Sequence, residues 1–396
     1  MMKEWTVVVV GGGYAGIHAV KAVWKQNAAE AGDRKLRILL MDPNPYHLRK
    51  VLLFKPAVGE DPITVPWNRL LPESASFVQG NACKVNASAK QLEYQNAEGQ
   101  IEHVAYDALV ISIGSVAREA EAGLGGITLS GKEAASRIKE QWMHNMRAAR
   151  LEDKAEERQR LLTAAVAGAG ITGIETASEL AYAMKEEAVR QGLNPAEVRV
   201  HLLNSQDRLF AEGPVKASRK LEEELGKCGV AVHHRKKAVR EDNGSLRLSD
   251  GTTLPVGLTV WTLGLVANPA VRSLGLPVTD DGRLLVDESY RVHNSQGVYA
   301  IGDCAYIVDP VSGEAARMTC KEAIPQAQRL GKIMAADRSG SPAPRHKQVM
   351  DGFTIGLGPG RGMTWTRKWG LDIIISGNLS YKIKRFVWDY ASMLKS

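Results

Sequence analysis

The sequence is short of cysteine. It has four in 396 residues, at positions 83, 228, 304 and 320, with no pair at C-x-x-C or C-x₄-C spacing. That pattern excludes a disulfide framework, a zinc ribbon and a local redox dithiol, and it predicts reduced thiols and no metal site. Long apolar runs are missing too. None reaches the roughly 18 residues a membrane-spanning helix needs. The run at 7–10 ends in glycines rather than in a small-residue cleavage site, so no secretory signal is read and the expected location is cytoplasmic. No helix-turn-helix, RNP or zinc-finger pattern accompanies the basic residues, so nucleic acid is not an expected partner.

The length is enough for two or three domains with proper cores, and 44% hydrophobic with 24% charged residues is ordinary for a globular chain. The net charge of +7 is unevenly placed: residues 341–396 hold nine Lys/Arg against three Asp, or +6, leaving +1 for the first 340. A nearly neutral body thus carries a basic C-terminal segment.

The chain is organised around Thr6-Val7-Val8-Val9-Val10 and the glycines that follow it, Gly11, Gly13 and Gly16, with Tyr14 and Ala15 between the last two. β-Branched residues in a row fill a strand buried on both faces. The G-x-G-x-x-G spacing then predicts a tight turn that delivers free N–H groups at a helix start to a pyrophosphate. The helix is expected over 16–31. A second strand at 38–42 ends in Asp42, a carboxylate able to accept from a ribose hydroxyl. Polar hairpins are read near 77–85 and 91–94, and a buried strand within 106–115 closes on a Gly-Ser turn.

The opening pattern then repeats. A charge-rich helical stretch over 132–160 leads to a strand at 161–166 and a second G-x-G-x-x-G at Gly168, Gly170 and Gly173, with Ile171 and Thr172 inside it. A helix over 174–188 and a strand over 198–203 follow. Two such units argue for two nucleotide-binding domains. Further along come a hairpin around Asp250-Gly251, a strand over 258–263 ending at Gly264, and a buried strand ending in Gly302-Asp303, a carboxylate at the crevice end of a sheet.

With these pieces in order, the chain resembles the two-dinucleotide-binding-domain flavoproteins, and more closely the type II NADH dehydrogenases, the single-subunit NADH:quinone oxidoreductases. Four segments carry the likeness: VVVVGGGYAG with LLMDPNPYHL, YDALVISIGS, TAAVAGAGITGIETASEL and GVYAIGDCA, over about residues 5–335. The resemblance implies an α/β fold in which an FAD domain, 1–130 and 266–340, is split by an NAD(P)H domain, 131–265, before a C-terminal α+β and amphipathic segment, 341–396. It implies that Gly11, Gly13 and Gly16 hold the FAD pyrophosphate, Asp42 the ribose and Tyr46-His47 the adenosine side. Ser112, Ile113 and Gly114 then pass close to the cofactor, and Gly302 and Asp303 bind its ribityl–pyrophosphate region. Gly168, Gly170 and Gly173 cradle the nicotinamide nucleotide, with Asn204 and Gly264 beside it. Glu175 is placed near the nicotinamide–flavin interface, against the alternative of a capping or dipole-compensating carboxylate in the first helical turn.

Three departures from the family pattern matter. The second strand of the nucleotide domain ends Leu203-Asn204-Ser205 rather than in an acid, with Arg208 nearby, so NADPH stands beside NADH as the donor. The family's A-Q-x-A-x-Q helix start reads Thr319-Cys320-Lys321-Glu322-Ala323-Ile324-Pro325-Gln326, leaving Lys321 and Gln326 as the quinone-side candidates. The related sulfide:quinone oxidoreductases use paired cysteines near Cys320, but no cysteine lies between 83 and 228, so an inert thiol is expected.

Residues 376–396 place Leu379, Ile383, Phe386, Val387, Tyr390 and Leu394 at helical spacing among basic residues, and Trp365, Trp369 and Trp388 lie in the same segment. This predicts an amphipathic helix at the inner face of the cell membrane, with a helix packed on the body as the competing reading. The expected activity is hydride uptake from NAD(P)H by FAD and two-electron delivery to a quinone without proton pumping. A soluble reductase of a ferredoxin-like or small acceptor and a low-turnover redox sensor remain as alternatives, and a homodimer stays open.

Overall fold

The computed structural model describes residues 3–27 and 34–395. The strand Lys3–Val10 lies third in a seven-stranded sheet, and its Val7, Val8 and Val9 are fully buried. It pairs in parallel with Arg34–Asp42 on one side and with Ala108–Ile111 on the other. Helix α1, Tyr14–Asn27, begins directly after the glycine turn; residues 28–31 of the expected helix lie outside the described residues. The strand Ala75–Asn86 is longer than the expected hairpin arm. Its first part pairs in parallel with Arg34–Asp42, and its second part turns antiparallel with Gln91–Asn96, which pairs in turn with Ile101–Ala105. At the other edge lies Val298–Ala300, parallel to Ala108–Ile111 and almost two hundred positions downstream.

The intervening chain builds a second sheet. The charge-rich stretch forms α2, Lys132–Leu151, and α3, Ala155–Leu161, and α2 buries Ala135, Ile138, Trp142 and Met146 along one stripe. Five parallel strands follow the spatial order Ile127–Thr128, Leu258–Trp261, Thr163–Ala167, Arg199–Leu203 and Val230–His233. Ile127–Thr128 therefore pairs in the second sheet although it precedes the expected boundary at 130. Helix α4, Ile171–Arg190, starts three residues earlier than the apolar pattern suggests, because the exposed Ile171 and Thr172 already belong to its first turn. Helix α5, Val215–Cys228, carries the chain to the last strand.

Helix α6, Cys320–Ser339, packs along α1. Beyond it, the antiparallel strands Gly352–Gly356, Gly362–Lys368 and Leu371–Ser376 lead into α7, Asn378–Ala391. Helix α7 buries Ser380, Lys384, Trp388 and Ala391, while Leu379, Phe386 and Val387 face out. Of the apolar stripe read from the sequence, Leu379, Phe386, Val387 and Leu394 are exposed while Ile383 and Tyr390 are half-buried, and the packed face is built from small, charged and aromatic residues. Trp365 and Trp388 are core residues, so of the three C-terminal tryptophans only Trp369, 87% exposed, offers an indole to an interface. Among the described residues no helix is long and apolar enough to cross a membrane.

Candidate active site

The two glycine turns are built alike, atom for atom. A Cβ on Gly16 would lie 1.8 Å from the Gly11 carbonyl oxygen, and a Cβ on Gly173 would lie 1.8 Å from that of Gly168. Only hydrogen fits there, and so each helix can start directly against its strand. Gly11 and Gly168 take φ of +98° and +115°. Each donates its N–H to the end of the neighbouring strand, Gly11 to Met41 and Gly168 to Leu203. The middle glycines differ: a Cβ on Gly13 or Gly170 would meet nothing within 4 Å. These positions open onto space at a helix N-terminus, where backbone N–H groups and the helix dipole favour an anion.

The likeness extends beyond the motifs. Ser112 Oγ donates to the carbonyls of Val10 at 2.9 Å and Gly11 at 3.0 Å. Thr262 Oγ1 does the same to Ala167 at 3.2 Å and Gly168 at 2.9 Å. Two residues later, Gly114 and Gly264 both have positive φ and open space. The Ser112–Gly114 and Thr262–Gly264 turns are therefore equivalent, and Thr262 was missed in the sequence because threonine beside a strand end carries no signal of its own.

The first turn lines a cleft of about 300 Å³ with Asp42, Ile113, Gly114, Gly302 and Asp303, at the low end of the roughly 300–1,000 Å³ usual for ligand sites. Asp42 Oδ2 accepts from Gly12 N at 2.7 Å, and Oδ1 accepts from the Asn44 backbone and side chain at 2.8 and 3.1 Å. A carboxylate has about four acceptor positions, so one on Oδ2 is left for a hydroxyl. Gly302 N donates to Gln326 Oε1 at 2.8 Å. Asp303 Oδ2 accepts from Ser115 Oγ at 2.6 Å, and burial raises its proton affinity. Lys50 also lines the cleft and donates to the Ser115 carbonyl at 3.1 Å; burial pushes its pKa down while Asp303 and Asp42 pull it up. Sequence reading missed Lys50, which sits in a short apolar stretch without a motif.

The remaining expected residues scatter. His47 is fully buried behind the turn, and its Nδ1–H donates to Gly12 O at 2.8 Å while burial lowers its pKa to about 4. It braces the turn from behind, so of the Tyr46-His47 pair only Tyr46 lines the cleft. Gln326 is likewise buried, supporting Gly302 from α6. Lys321 is exposed and donates to the carbonyls of Met350 and Gly352, tying α6 to the C-terminal unit. Cys320 reaches the cleft, and burial raises its thiol pKa.

Glu175 is not a capping residue. It is 2% exposed and accepts from Gly356 N at 2.9 Å and from Lys384 Nζ at 2.8 Å, so α4 is joined to α7. Burial raises its pKa against the pull of Lys384. Asn204 turns inward to His234 Nδ1, at 3.0 Å, and to the backbone of Gln206. Arg208 spends its guanidinium on the carbonyls of Phe210, Ala211 and Gly213 and on Ser218 Oγ. In the neighbouring loop, Arg235 pairs with Asp207 at 2.6 Å.

Comparison with known proteins agrees with this geometry. Residues 5–331 match the family model for pyridine nucleotide-disulphide oxidoreductases. An internal alternative NAD(P)H-ubiquinone oxidoreductase A1 of Arabidopsis thaliana mitochondria is 27% identical over 83% of this chain and 66% of its own length. A type II NADH:quinone oxidoreductase of Staphylococcus epidermidis is 23% identical over 90% of this chain and 88% of its own. The chain thus spans just under two thirds of the plant relative and most of the bacterial one. In structure, NDH2 of Plasmodium falciparum in complex with NADH aligns over 100% of this chain and 95% of that chain, with a TM-score of 0.82 at 16% identity. The twin turns, the split first sheet and the matched model converge: this chain belongs to the pyridine nucleotide-disulphide oxidoreductase family.

Proposed function

We propose that this protein is an FAD-dependent NAD(P)H:quinone oxidoreductase of the single-subunit, non-pumping type, attached to a membrane surface through α7. The observation that carries the reading is the duplication of the glycine cradle, with Gly13 and Gly170 both facing open space. The cradle fits a dinucleotide in both copies. The Gly11–Gly16 turn, the free acceptor of Asp42, and the Gly302–Asp303 turn would hold FAD. The Gly168–Gly173 turn and Gly264 would hold the nicotinamide nucleotide. FAD held there would supply the hydride-accepting, two-electron redox chemistry that the side chains of this site lack.

The chain's own residues bind, orient and exclude water. Ser112 and Thr262 fix the two turns. Gln326 and Ser115 set the Gly302–Asp303 turn, and Lys50 brings a cation into the cleft. The buried Glu175–Lys384 pair closes the C-terminal unit against the nucleotide domain. On this reading residues 1–130 and 266–340 form the FAD domain and residues 131–265 the NAD(P)H domain. Quinone as acceptor is supported by the names of the plant and bacterial relatives. An apolar acceptor also suits the outward face of α7, where Leu379, Phe386 and Val387 are exposed beside Lys382 and Arg385.

Stopped-flow reduction with NADH and NADPH, followed by reoxidation with a short-chain ubiquinone, tests the reading. Rapid flavin bleaching and quinone-driven recovery are expected. Bleaching without recovery by quinone, but with recovery by ferredoxin, would refute the acceptor assignment.

A further inference from the structure

Helix α4 carries two buried carboxylates one turn apart, Glu175 and Glu179, each matched to a lysine from a different part of the chain. Glu175 Oε1 lies 2.8 Å from Lys384 Nζ of α7. Glu179 Oε1 lies 2.7 Å from Lys55 Nζ in the loop after the first domain's second strand. The side chains of Glu175, Glu179 and Lys384 are 3%, 4% and 8% exposed, whereas that of Lys55 is 14% exposed. One pair is therefore sealed and the other reaches towards water. The sealed pair bears electrostatically on the cleft wall: Lys384 lowers and Glu175 raises the pKa of the Cys320 thiol, which lines the cleft.

Between the pairs sit Phe54 and Trp388, with ring centroids 5.9 Å apart and Lys384 Nζ 5.3 Å from the Trp388 ring. The Trp388 indole N–H is buried without a hydrogen-bond partner. It is an unmet donor beside the Lys384 ammonium, and a buried polar group of this kind calls for a partner. Residues i and i+4 on a helix are neighbours, with Cβ atoms roughly 5–6 Å apart, and the Glu179 charge raises the pKa of Glu175.

The reading under Proposed function creates a demand for such a path, and the inference rests on it. NAD(P)H, quinone and one proton give NAD(P)⁺ and quinol. The hydride supplies both electrons and one proton, and the second proton comes from solvent. We propose that Lys55 and Glu179 form the outer half of a proton-uptake route, which passes that solvent proton through a water at the Trp388 indole to the Glu175–Lys384 pair beside the cleft. At each transfer one O–H or N–H bond breaks and one forms, and no electrons move. Glu179 faces Lys55 and Asp61 from the 55–61 loop and Glu175 and Tyr182 on its own helix; Glu175 faces Lys384 and the Gly356 N–H. Burial raises the proton affinity of both carboxyls, as groups that must accept and release a proton require.

Ferricyanide and quinone separate this role from a structural one, because ferricyanide takes electrons without protons. In the FAD-loaded enzyme, Glu179→Gln should keep NADH:ferricyanide turnover within about twofold and lower ubiquinone turnover by about tenfold or more. The loss should come with a larger solvent deuterium isotope effect and delayed single-turnover proton uptake, read with a pH indicator dye. Glu179→Asp should restore part of the quinone rate. The charge-neutral pair Lys55→Met/Glu179→Gln should behave like Glu179→Gln and guards against misfolding. Unchanged quinone turnover, or equal loss with both acceptors, would overturn the route. A wild-type enzyme that reduces ferricyanide but no quinone would refute the acceptor assignment and the route with it.

Discussion

Adding one methyl group at two neighbouring glycines at the start of α4 should weaken nucleotide binding in both cases but have opposite effects on stability. At Gly173 the new Cβ would lie 1.8 Å from the Gly168 carbonyl oxygen, against a practical minimum of 3.0 Å, so the first turn of α4 must retreat by about 1.2 Å. Overpacking against backbone costs about 1–3 kcal/mol. Gly173→Ala should therefore unfold at lower urea. Because the retreat displaces the N–H groups that would meet the pyrophosphate, nucleotide affinity should fall by about 5- to 150-fold, the same range expressed as a binding ratio. At Gly170, φ is −71° and a Cβ meets nothing. Gly170→Ala should leave stability unchanged or raise it by about 0.4–1 kcal/mol. Yet its methyl would occupy the space left for the phosphates, and binding should fall without any loss of fold. Isothermal titration with NADH and NADPH, paired with urea unfolding of the FAD-loaded protein, measures both quantities. Wild-type affinity in Gly170→Ala would refute the claim that this opening seats the nucleotide.

Other consequences follow from buried charge. Lys384→Met leaves the Glu175 carboxylate buried without its cation and should destabilise by about 3–5 kcal/mol in urea unfolding, whereas Lys384→Met with Glu175→Gln should recover most of the loss. Glu322 is 4% exposed with an unpartnered Oε2, and burial raises its pKa above the usual value of 4.5. Stability from its protonation is fully present below that usual value and is lost as pH rises through the folded value. Glu322→Gln should thus gain stability relative to wild type between pH 4 and pH 7, and a pH-independent difference would count against it. On α7, Leu379→Ser with Phe386→Ser should abolish flotation with anionic liposomes while leaving urea unfolding unchanged, since both residues are at least 48% exposed. Equal flotation would remove α7 from the membrane proposal.

Much of the architecture was legible because it rests on local rules. Buried β-branched strands, glycines at fixed spacing and charged helices made the central strands of both sheets, both turns and α1 through α4 readable to within a few residues, whereas the edge strands Ile101–Ala105, Ile127–Thr128 and Val230–His233 carried no such signal. What stayed hidden depends on packing between distant segments. No local pattern says that His47 will brace Gly12 rather than face a ligand, or that Arg208 will spend its guanidinium within its own loop. The C-terminal helix is the clearest instance. Its apolar spacing was correctly read, but the opposite face packs, because Lys384 finds Glu175 and Trp388 finds Phe54. Deleting residues 376–396 would remove those contacts as well as any lipid contact, so substitutions on the outer face isolate the second effect.

Helix α7 is also keyed to the first domain, through Arg49 on Asp389 at 2.8 Å and His18 on the Ala391 carbonyl at 3.0 Å, while Lys384 holds the second. One short rod thus sets the spacing between the halves and presents its far side outward. A residue-by-residue scan along it should sort into two interleaved sets of phenotypes at helical period: positions 384, 388 and 391 would alter transfer between the halves, and positions 379, 386 and 387 would alter only where the molecule resides.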